Sequence, residues 1–539
     1  MAEYLHGIET EHSGKVPQNV SEVKTAVIGI VGVPAAGFKS EIEADVPTVL
    51  TKQADIEKRF GKTSISGKLP SYLDKMYEQF TDRFPVFVVV PVGVKTVEAA
   101  SKSLDAGSNE IDLGHTSVSN IVVKSEDKSV TYVKDTDYSE NTSTGIVTIL
   151  RTTPAKYFIT FDYGVSDEGA DVFAPTPATI SIGKTNAGAV VVTDSTGEIA
   201  YTEGSDYTVN YETGVITLLK DITTAKKVGC QYVDTVSDSD IKGSGSSTPR
   251  TGIYALLAAK TITRYAPKIV VAPGYSQKKT VADALLAVGN RLRARIYIDA
   301  DSTEITSVDA AIQARGNSEK AFSFHEKRVN LCFPHLKNGD ETYPMSIIAA
   351  AVRARTDIDP DMGYHYSISS KKIYGFTGLD IAVVYSFSDT SADSQLLNGA
   401  GILTVENQDG LAFCGNRNSS FDVNSDNGNT DFESFEVTMS TGDVIEESIE
   451  IYTKKHLDLP IGNVWIDAIL SDVNDFLGKL KLRGAILGGL AWYEPDENDP
   501  TELMSGHVVF DYDDAPTPPA DRITYKRQYN IDYLAQLGR

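Results

Sequence analysis

The stretch TAVIGIVGVPAAG, residues 25–37, contains the apolar run AVIGIVGV, which is the strongest indication of fold class in the chain. An uninterrupted apolar run of this length is typical of a strand that is buried on both faces, as in a parallel sheet. A second run, PVFVVVPV at 85–92, follows a segment, 69–80, whose apolar residues repeat at helical spacing. Helices that alternate with wholly apolar strands predict an α/β layer, which is expected to begin near residue 25.

The same pattern returns later in the chain. TGIYALLAAKTITRYAPKIVVAPGYS, from Thr251, precedes a predicted helix, TVADALLAVGNRLRA, and a predicted strand, RIYIDAD. Past GNRNSS at 415–420 we expect a strand in FEVTMS, an amphipathic stretch in VIEESIEIYTKKHL, a helix in NVWIDAILSDVNDFLGKLKLRGAI and a last strand in HVVFDYD. These elements predict a smaller α+β domain.

Between the two α/β parts, β-branched and aromatic residues alternate with small polar ones, which predicts an all-β insertion. VTYVKDTDYSENTSTGIVTIL, from Val130, aligns without gaps with IAYTEGSDYTVNYETGVITLL, from Ile199, at an offset of 69 residues. The matching pairs are Tyr132/Tyr201, Asp137/Asp206, Tyr138/Tyr207, Gly145/Gly214, Thr148/Thr217 and Tyr163/Tyr232. In each copy DY is expected to open a strand and the T-G pair to supply the following turn, because glycine tolerates positive φ.

The ends of the chain resemble extended arms more than parts of a core. The leader is polar, and the tail opens with a Pro-rich stretch followed by the β-prone RITYKRQYNIDYL. The predicted organisation is a multidomain α/β and α+β protein: an N-terminal arm at 1–24, a discontinuous α/β core at 25–100 and 246–414, a surface-exposed β-repeat insertion at 101–245, an α+β domain at 415–512 and a C-terminal arm at 513–539.

Composition restricts the possible partners. The formal charge of the 539 residues is −24, which argues against binding along nucleic acid, where Lys and Arg must replace counterions. Cys230, Cys332 and Cys414 lie far apart and outside any CxxC pattern, so neither a disulfide framework nor a zinc site is indicated. Without a signal peptide pattern or an apolar run of membrane-spanning length, no membrane anchoring is expected.

No catalytic constellation or cofactor site is recognisable. GSGSST at 243–248 lacks the spacing of a phosphate loop, and His365 has no identifiable partner, so it is interpreted as a packed loop residue. Asp422, Asn424, Asp426 and Glu433 fall at positions 1, 3, 5 and 12 of a calcium loop, but the glycine is one position late. The alternatives there are a weak calcium site and a polar surface loop.

Basic residues are sparse overall but recur in the smaller domain, at Lys454, Lys455, Lys479, Lys481 and Arg483. They are either a solvated face or a docking surface for an acidic partner.

Taken in order, several segments resemble those of contractile phage tail sheath proteins. They are YLHGIETEHS, TAVIGIVGVPAAG, RYAPKIVVAPGYSQ, RARIYIDAD, AAAVRARTDIDPDMGYHYSIS, QLLNGAGILTV with FCGNRNSS, and PTPPADRITY. Together they span most of the chain outside roughly 101–245. Relatives often carry arginines where this chain has Met439 and Ser440, and the repeated insertion is not shared by the minimal sheath.

The resemblance implies a structural subunit without enzymatic activity. Such subunits stack as hexameric rings around a tail tube in the virion, assemble in the bacterial cytoplasm, and contract to drive the tube through the host envelope. The resemblance also implies that both arms add strands to a sheet in the smaller domain of a neighbouring subunit. The expected partners are further copies of the chain and the tube, baseplate and tail terminator proteins, and the basic residues listed above are candidates to face the tube.

Three other functions stay open from the residues. The sheath of a headless injection particle would have the same features. A tail fibre or adhesin would explain the β repeats but not the long α/β core. An enzyme would require a constellation that the sequence does not present.

Overall fold

The computed structural model describes residues 20–102, 109–150, 156–163, 167–173, 178–219, 226–423 and 432–537. Within these ranges no helix has both the length and the apolar character that a bilayer crossing requires.

The first part of the chain forms the strands and helices around the opening apolar run. They are β1 (Val27–Gly32), β2 (Thr48–Leu50), α1 (Ile56–Phe60), α2 (Leu69–Tyr77), β3 (Val86–Pro91) and β4 (Val94–Lys102). The β-rich part that follows contains β5 (Glu110–Asp112), β6 (Ser119–Ser125), β7 (Tyr138–Asn141), β8 (Ile146–Ile149), β9 (Tyr157–Tyr163), β10 (Asp167–Phe173), β11 (Thr179–Ser181), β12 (Ala187–Asp194), β13 (Tyr207–Asn210), β14 (Val215–Leu218), β15 (Lys226–Val233) and α3 (Asp238–Lys242).

The α/β pattern then resumes, as the sequence predicts. Its elements are α4 (Ala259–Thr263), β16 (Ile269–Val271), α5 (Lys279–Leu292), β17 (Arg295–Asp299), α6 (Val308–Ala314), β18 (Val329–Cys332), β19 (Leu336–Asn338), β20 (Glu341–Tyr343), α7 (Met345–Ile358), β21 (Gly378–Leu379), α8 (Asp393–Gly399), β22 (Ile402–Asn407) and β23 (Leu411–Cys414). The last part contains α9 (Glu436–Thr453), α10 (Asn463–Leu482), β24 (Ile486–Trp492), α11 (Pro500–Met504) and β25 (Asp511–Pro516).

An eight-stranded sheet forms the centre of the molecule, in the order β2-β3-β1-β16-β17-β18-β22-β23. The six inner strands are parallel, and the strand at each edge is antiparallel to its neighbour. Every residue of β1, β16 and β17 is buried, and α5 and α7 both pack against β16 and β17. The sequence prediction of a mixed α/β protein is therefore confirmed.

The carboxyl end of β17 carries a buried carboxylate that caps a helix. Asp299 accepts hydrogen bonds from the Ser346 N–H (2.8 Å), in the first turn of α7, and from the Ser276 hydroxyl (3.0 Å). Burial raises the pKa of Asp299, although His335 and the hydrogen bonds from Ser346 and Ser276 act to lower it. Because Asp299 is only 2% exposed, this cluster of polar groups is sealed inside the core rather than open to a substrate.

The two matching β segments have the same strand arrangement. β8 lies between β5 and β7, as β14 lies between β11 and β13; β9 pairs with β6 and β10, as β15 pairs with β12 and β4. Buried residues recur at the 69-residue offset: Ile111/Ile180, Leu113/Ile182, Val118/Ala187, Val123/Val192, Tyr138/Tyr207, Val147/Ile216, Ile149/Leu218 and Ile159/Val228. The predicted strand starts at Tyr138 and Tyr207 are confirmed, and Gly145 and Gly214 have φ of 71° and 70°.

One pair of equivalent positions differs in chemistry. In the first segment the rings of Tyr132 and Tyr157 meet edge to face at 5.3 Å. In the second, Lys226 stands at the position of Tyr157, and its ammonium lies 5.2 Å from the ring centre of Tyr201. A cation–π contact therefore replaces an aromatic pair at a fully buried site.

The second β segment packs directly on the α/β core. The carboxamide of Gln231 accepts from the Ile42 N–H (2.8 Å) and donates to the Ile42 carbonyl (2.9 Å). The ammonium of Lys39 contacts Glu203 at 2.7 Å. The β sheets also begin at Val94, ahead of the predicted boundary at residue 101, because β4 pairs with β15.

Two secondary-structure predictions for the last part of the chain are wrong in detail. FEVTMS is not a strand: α9 begins at Glu436, and the hydroxyl groups of Thr438 and Thr441 donate to the carbonyls of Phe435 and Val437 within the helix. The alternation of polar and apolar letters was misleading because the polar side chains are also buried. The strand predicted in HVVFDYD is correct only in its last three residues: the observed strand covers Asp511–Pro516, so it begins four residues later and extends four residues into the predicted C-terminal arm.

Candidate assembly surface

The last part of the chain is built on a helical hairpin under a two-stranded sheet. α10 buries Ile469, Val473, Phe476, Leu477 and Leu480, a helical spacing that directs one face toward α9 and β24. β24 and β25 pair antiparallel, with a bulge between Ile486 and Gly488. The outer face of this sheet is apolar yet exposed, with Leu487 62%, Leu490 56% and Trp492 37% accessible.

The described end of the leader is attached to this hairpin. Val20 is 6% exposed within the α9–α10 core, and the Val23 N–H donates to the Ser448 hydroxyl at 3.2 Å. Glu22 forms an ion pair with Arg483 at the end of α10. Residues 1–19 of the predicted N-terminal arm lie outside the described residues.

The tail leaves the same region in an extended form. Asp521 contacts Arg417 at 3.0 Å, and beyond it residues 522–534 are exposed, with only a short 3-10 turn at Ile531–Gln536. Ile523, Tyr525 and Tyr529 are 70%, 91% and 82% accessible. Alternate apolar residues in an exposed extended segment are suited to pairing with a sheet edge.

A buried group of four charges joins α9 to the central sheet. Asp357 lies 3.0 Å from Arg295 and 2.7 Å from Arg353, both measured to guanidinium nitrogens. Glu436, at the start of α9, lies 2.9 Å from Arg295 as an ion pair and 3.5 Å from Arg353. These side chains are 0–7% exposed. We call these four residues the charge quartet.

The quartet is balanced in charge, which allows it to be buried. Burial by itself would raise the pKa of Asp357, but Arg295 and Arg353 outweigh burial, so its pKa is lowered. Further pairs continue along α9: Asp443 with Arg328, Glu447 with Lys268, and Glu446 and Glu450 with Arg293. One face of α9 is thus acidic and the core surface under it is basic.

His365 lies close to the quartet and to the end of α10. It is half-buried, and burial together with Arg483 and Arg353 lowers its pKa. Its placement agrees with the interpretation as a packed loop residue.

The five basic residues of the sequence prediction form two groups rather than one cluster. Lys454 and Lys455 follow the end of α9, where the Lys455 ammonium lies 4.1 Å from the ring centre of Tyr452. Lys479, Lys481 and Arg483 lie at the far end of α10, roughly 24–30 Å from its start at a rise of roughly 1.5 Å per residue. All five are exposed, but Arg483 is paired with Glu22.

The calcium candidate is only partly described. Asn424 and Asp426 lie outside the described residues, whereas Glu433 forms an ion pair with Lys327. Among the residues that the structure describes, no group of three His, Cys, Asp or Glu side chains is arranged to hold a metal ion.

The charge quartet was not predicted from the sequence, although one signal was available. Arg353 stands within MSIIAAAVRA, an otherwise apolar helical run, and a charge in such a run requires a buried partner. Its partner Asp357 is four residues further along the same helix, a spacing that places the two side chains together, whereas Glu436 is 83 residues away and could not be identified from spacing.

Comparison with known proteins gives consistent matches. The family model for the phage tail sheath protein central domain matches residues 249–419. The tail sheath protein of Burkholderia phage BcepMu is 29% identical over 551 aligned residues, which cover 99% of each chain. That of Escherichia phage P2 is 29% identical over 291 residues, covering 53% of this chain and 69% of that protein.

Solved structures share the fold at lower sequence identity. A chain of the contracted helical sheath of the anti-feeding prophage has a TM-score of 0.52 and 12% identity, and the match covers 98% of this chain and 100% of that one. A chain of the baseplate of the same particle has a TM-score of 0.51, also with 12% identity and the same coverage. At this identity the likeness concerns the fold alone.

Proposed function

Because the chain belongs to the contractile phage tail sheath family, we propose that it polymerises as stacked hexameric rings around a tail tube. Contraction of the array then drives the tube through the host envelope. The chain acts as a structural subunit, and its function lies in surfaces rather than in a pocket.

The observation that carries this proposal is that, in the described part of the chain, a two-stranded sheet with open edges lies next to a C-terminal tail that is extended and exposed. Among the residues that the structure describes, the sheet of β24 and β25 has two strands, so each strand has one edge without a partner strand from that part of the chain. Both terminal segments start beside this unit, through Val20 and Asp521, and the tail is extended and exposed. Strands donated to a neighbour keep their main-chain bonds while subunits rotate, so the array stays connected during contraction.

We further propose that the α/β core at 25–100 and 246–414 and the unit at 415–512 form the inner body of the sheath. Residues 101–245 form two tandem β repeats inserted on its outer surface. The equivalent buried residues of the two segments support the repeat. The contacts of Gln231 with Ile42 indicate that the second repeat is fixed to the core rather than loosely tethered.

The partners follow from this assignment. Copies of the chain bind one another, the tube protein lies inside the array, and baseplate and terminator proteins close its ends in the virion. We propose that the exposed Lys454, Lys455, Lys479 and Lys481 include tube-facing residues. Arg483 belongs to the same set of candidates, and it also forms an ion pair with Glu22 of the N-terminal arm.

Deletion of the arms tests the proposal. Removal of residues 1–19 or of 522–539 leaves Val20 and Asp521 in place, so each truncated chain is expected to stay folded and monomeric. The full chain is expected to form tubes or rings by electron microscopy and to sediment as a large particle. The matched control is the substitution Arg522→Ala in the full chain, which keeps the arm and is expected to assemble. Tubes of normal length from either truncated chain would refute strand exchange.

A further inference from the structure

One side chain already occupies part of the open edge of β24. The carboxamide of Asn474, in α10, donates to the Ala491 carbonyl at 2.9 Å and accepts from the Ala491 N–H at 2.7 Å. A carboxamide offers the same donor and acceptor as a peptide group. Asn474 therefore satisfies at Ala491 the two backbone groups that a neighbouring strand would otherwise bind.

The register of the sheet indicates that these groups belong to the outer edge. In an antiparallel pair, alternate residues direct their N–H and C=O toward the partner strand or away from it. Leu490 faces β25, since it lies opposite Asp513 and its N–H donates to the Asp513 carboxylate at 2.9 Å. Gly489 and Ala491 on either side must then direct their backbone groups away from β25. With Ala491 occupied, the edge available to another strand begins at Gly489 and runs toward Leu487.

The C-terminal tail of a second copy fits this edge best. Ile523, Tyr525, Tyr529 and Ile531 occupy alternate positions of the tail, so a strand formed by it would have one face that is apolar except for Arg527. These four apolar side chains are 70–91% exposed. The tail also carries Arg522, Lys526 and Arg527, whereas β25 carries Asp511, Asp513 and Asp514. Apolar alternation and charge both favour this occupant.

We propose that Asn474 is a register stop, the residue that fixes where the donated tail of a neighbouring subunit ends on β24. The inference rests on the strand exchange proposed above. To pair beyond Gly489, the incoming strand would have to displace the two hydrogen bonds between Asn474 and Ala491 and would form two similar ones in their place. Extension of the strand would therefore add little binding free energy. A fixed end to the pairing gives each subunit the same offset from its neighbour, which a regular helical array requires.

Amide hydrogen exchange of the full chain, before and after assembly, tests this role. In the unassembled wild type the Ala491 amide is expected to exchange at least about tenfold more slowly than the Gly489 amide, and on assembly the Gly489 amide slows by a similar factor. In Asn474→Ala the Ala491 amide should exchange quickly in the free subunit and become protected on assembly, because the donated strand now extends over it.

The matched control is Asn498→Ala. Asn498 bonds both backbone groups of Val509 in the same manner, at 2.7 and 3.0 Å, but ahead of β25 and away from the β24 edge. It is expected to leave exchange at Ala491 unchanged in both states. A photo-reactive amino acid in place of Leu487 identifies the occupant, and the expected cross-link in assembled sheaths is to residues 522–531 of another copy.

The outcomes separate the inference from the proposed function. If the Ala491 amide stays unprotected in assembled Asn474→Ala, the donated strand does not extend when Asn474 is removed. Asn474 would then only satisfy the backbone groups of Ala491, and its role as a register stop would be wrong. A cross-link to residues 1–19 would overturn the C-terminal tail as occupant. Arm-dependent tubes in which the Gly489 amide gains no protection would reject β24 as the acceptor edge while leaving the sheath function intact.

Discussion

Substitution of Glu436 by Gln is expected to destabilise the attachment of α9 to the central sheet. Glu436 is one of two carboxylates that balance the two guanidinium groups of the quartet, and its side chain is 7% exposed. Glutamine keeps the shape but removes the charge, so one buried positive charge is left uncompensated. Breaking a buried ion pair on one side costs about 3–5 kcal/mol. Because the glutamine oxygen still accepts from a guanidinium, we expect the lower end, about 3 kcal/mol.

Tryptophan fluorescence is a suitable reporter. The two tryptophans of the chain are Trp465 and Trp492, in α10 and β24, so their emission follows the unit that α9 joins to the core. The measurement is a urea titration of the unassembled protein, compared with the wild type at the same pH.

An exposed ion pair provides the matched control. Glu304 contacts Lys320 at 2.5 Å, with side chains 49% and 42% accessible, so Glu304→Gln should cost less than about 1 kcal/mol. An equal effect of the two substitutions, or a loss below about 1 kcal/mol for Glu436→Gln, would refute the view that the quartet stabilises this attachment.

Four further predictions concern other parts of the molecule. The pKa of Asp357 is lowered in the folded protein, so the stability that this carboxylate contributes is complete above its unfolded pKa of about 4 and is lost as the pH falls through its folded pKa. In an acid titration followed by fluorescence, the stability of Asp357→Asn should therefore depend less on pH than that of the wild type. Gln231→Leu leaves the buried N–H and carbonyl of Ile42 without their partner, so it should lower the free energy of unfolding by about 2–4 kcal/mol and speed amide exchange at Ile42. Unchanged exchange at Ile42 would contradict this. Gly214→Ala places a Cβ 1.8 Å from a backbone oxygen at positive φ, so the second β segment should become sensitive to protease, whereas an unchanged cleavage pattern would argue against this strain. Charge reversal at Lys479 and Lys481 should weaken sheath attachment to tubes in a co-sedimentation assay, as added salt should for the wild type, and undiminished attachment would count against a tube-facing role.

The sequence determined the fold class because local patterns encode it. The apolar run at 26–33 predicts a strand buried on both faces whatever it packs against, and β1 is buried at every residue. The paired Tyr138 and Tyr207, with the glycines that follow, predict strands and turns through short-range backbone preferences. The same local reasoning failed at FEVTMS, because its polar residues are buried with backbone or arginine partners and therefore do not mark an exposed strand face.

Contacts between polar groups that are far apart in the chain are specified only by the tertiary structure. Nothing in the spacing of Glu436 and Arg353, or of Asn474 and Ala491, distinguishes these residues from others of their type. A charge or an amide can pair with any complementary group that the folded chain brings within about 3 Å, and that choice depends on how the elements pack. The five basic residues illustrate the same limit: nearness in sequence suggested one cluster, whereas the length of α10 places them in two groups. Periodic patterns thus specify elements and layers, and only packing specifies the contacts between them.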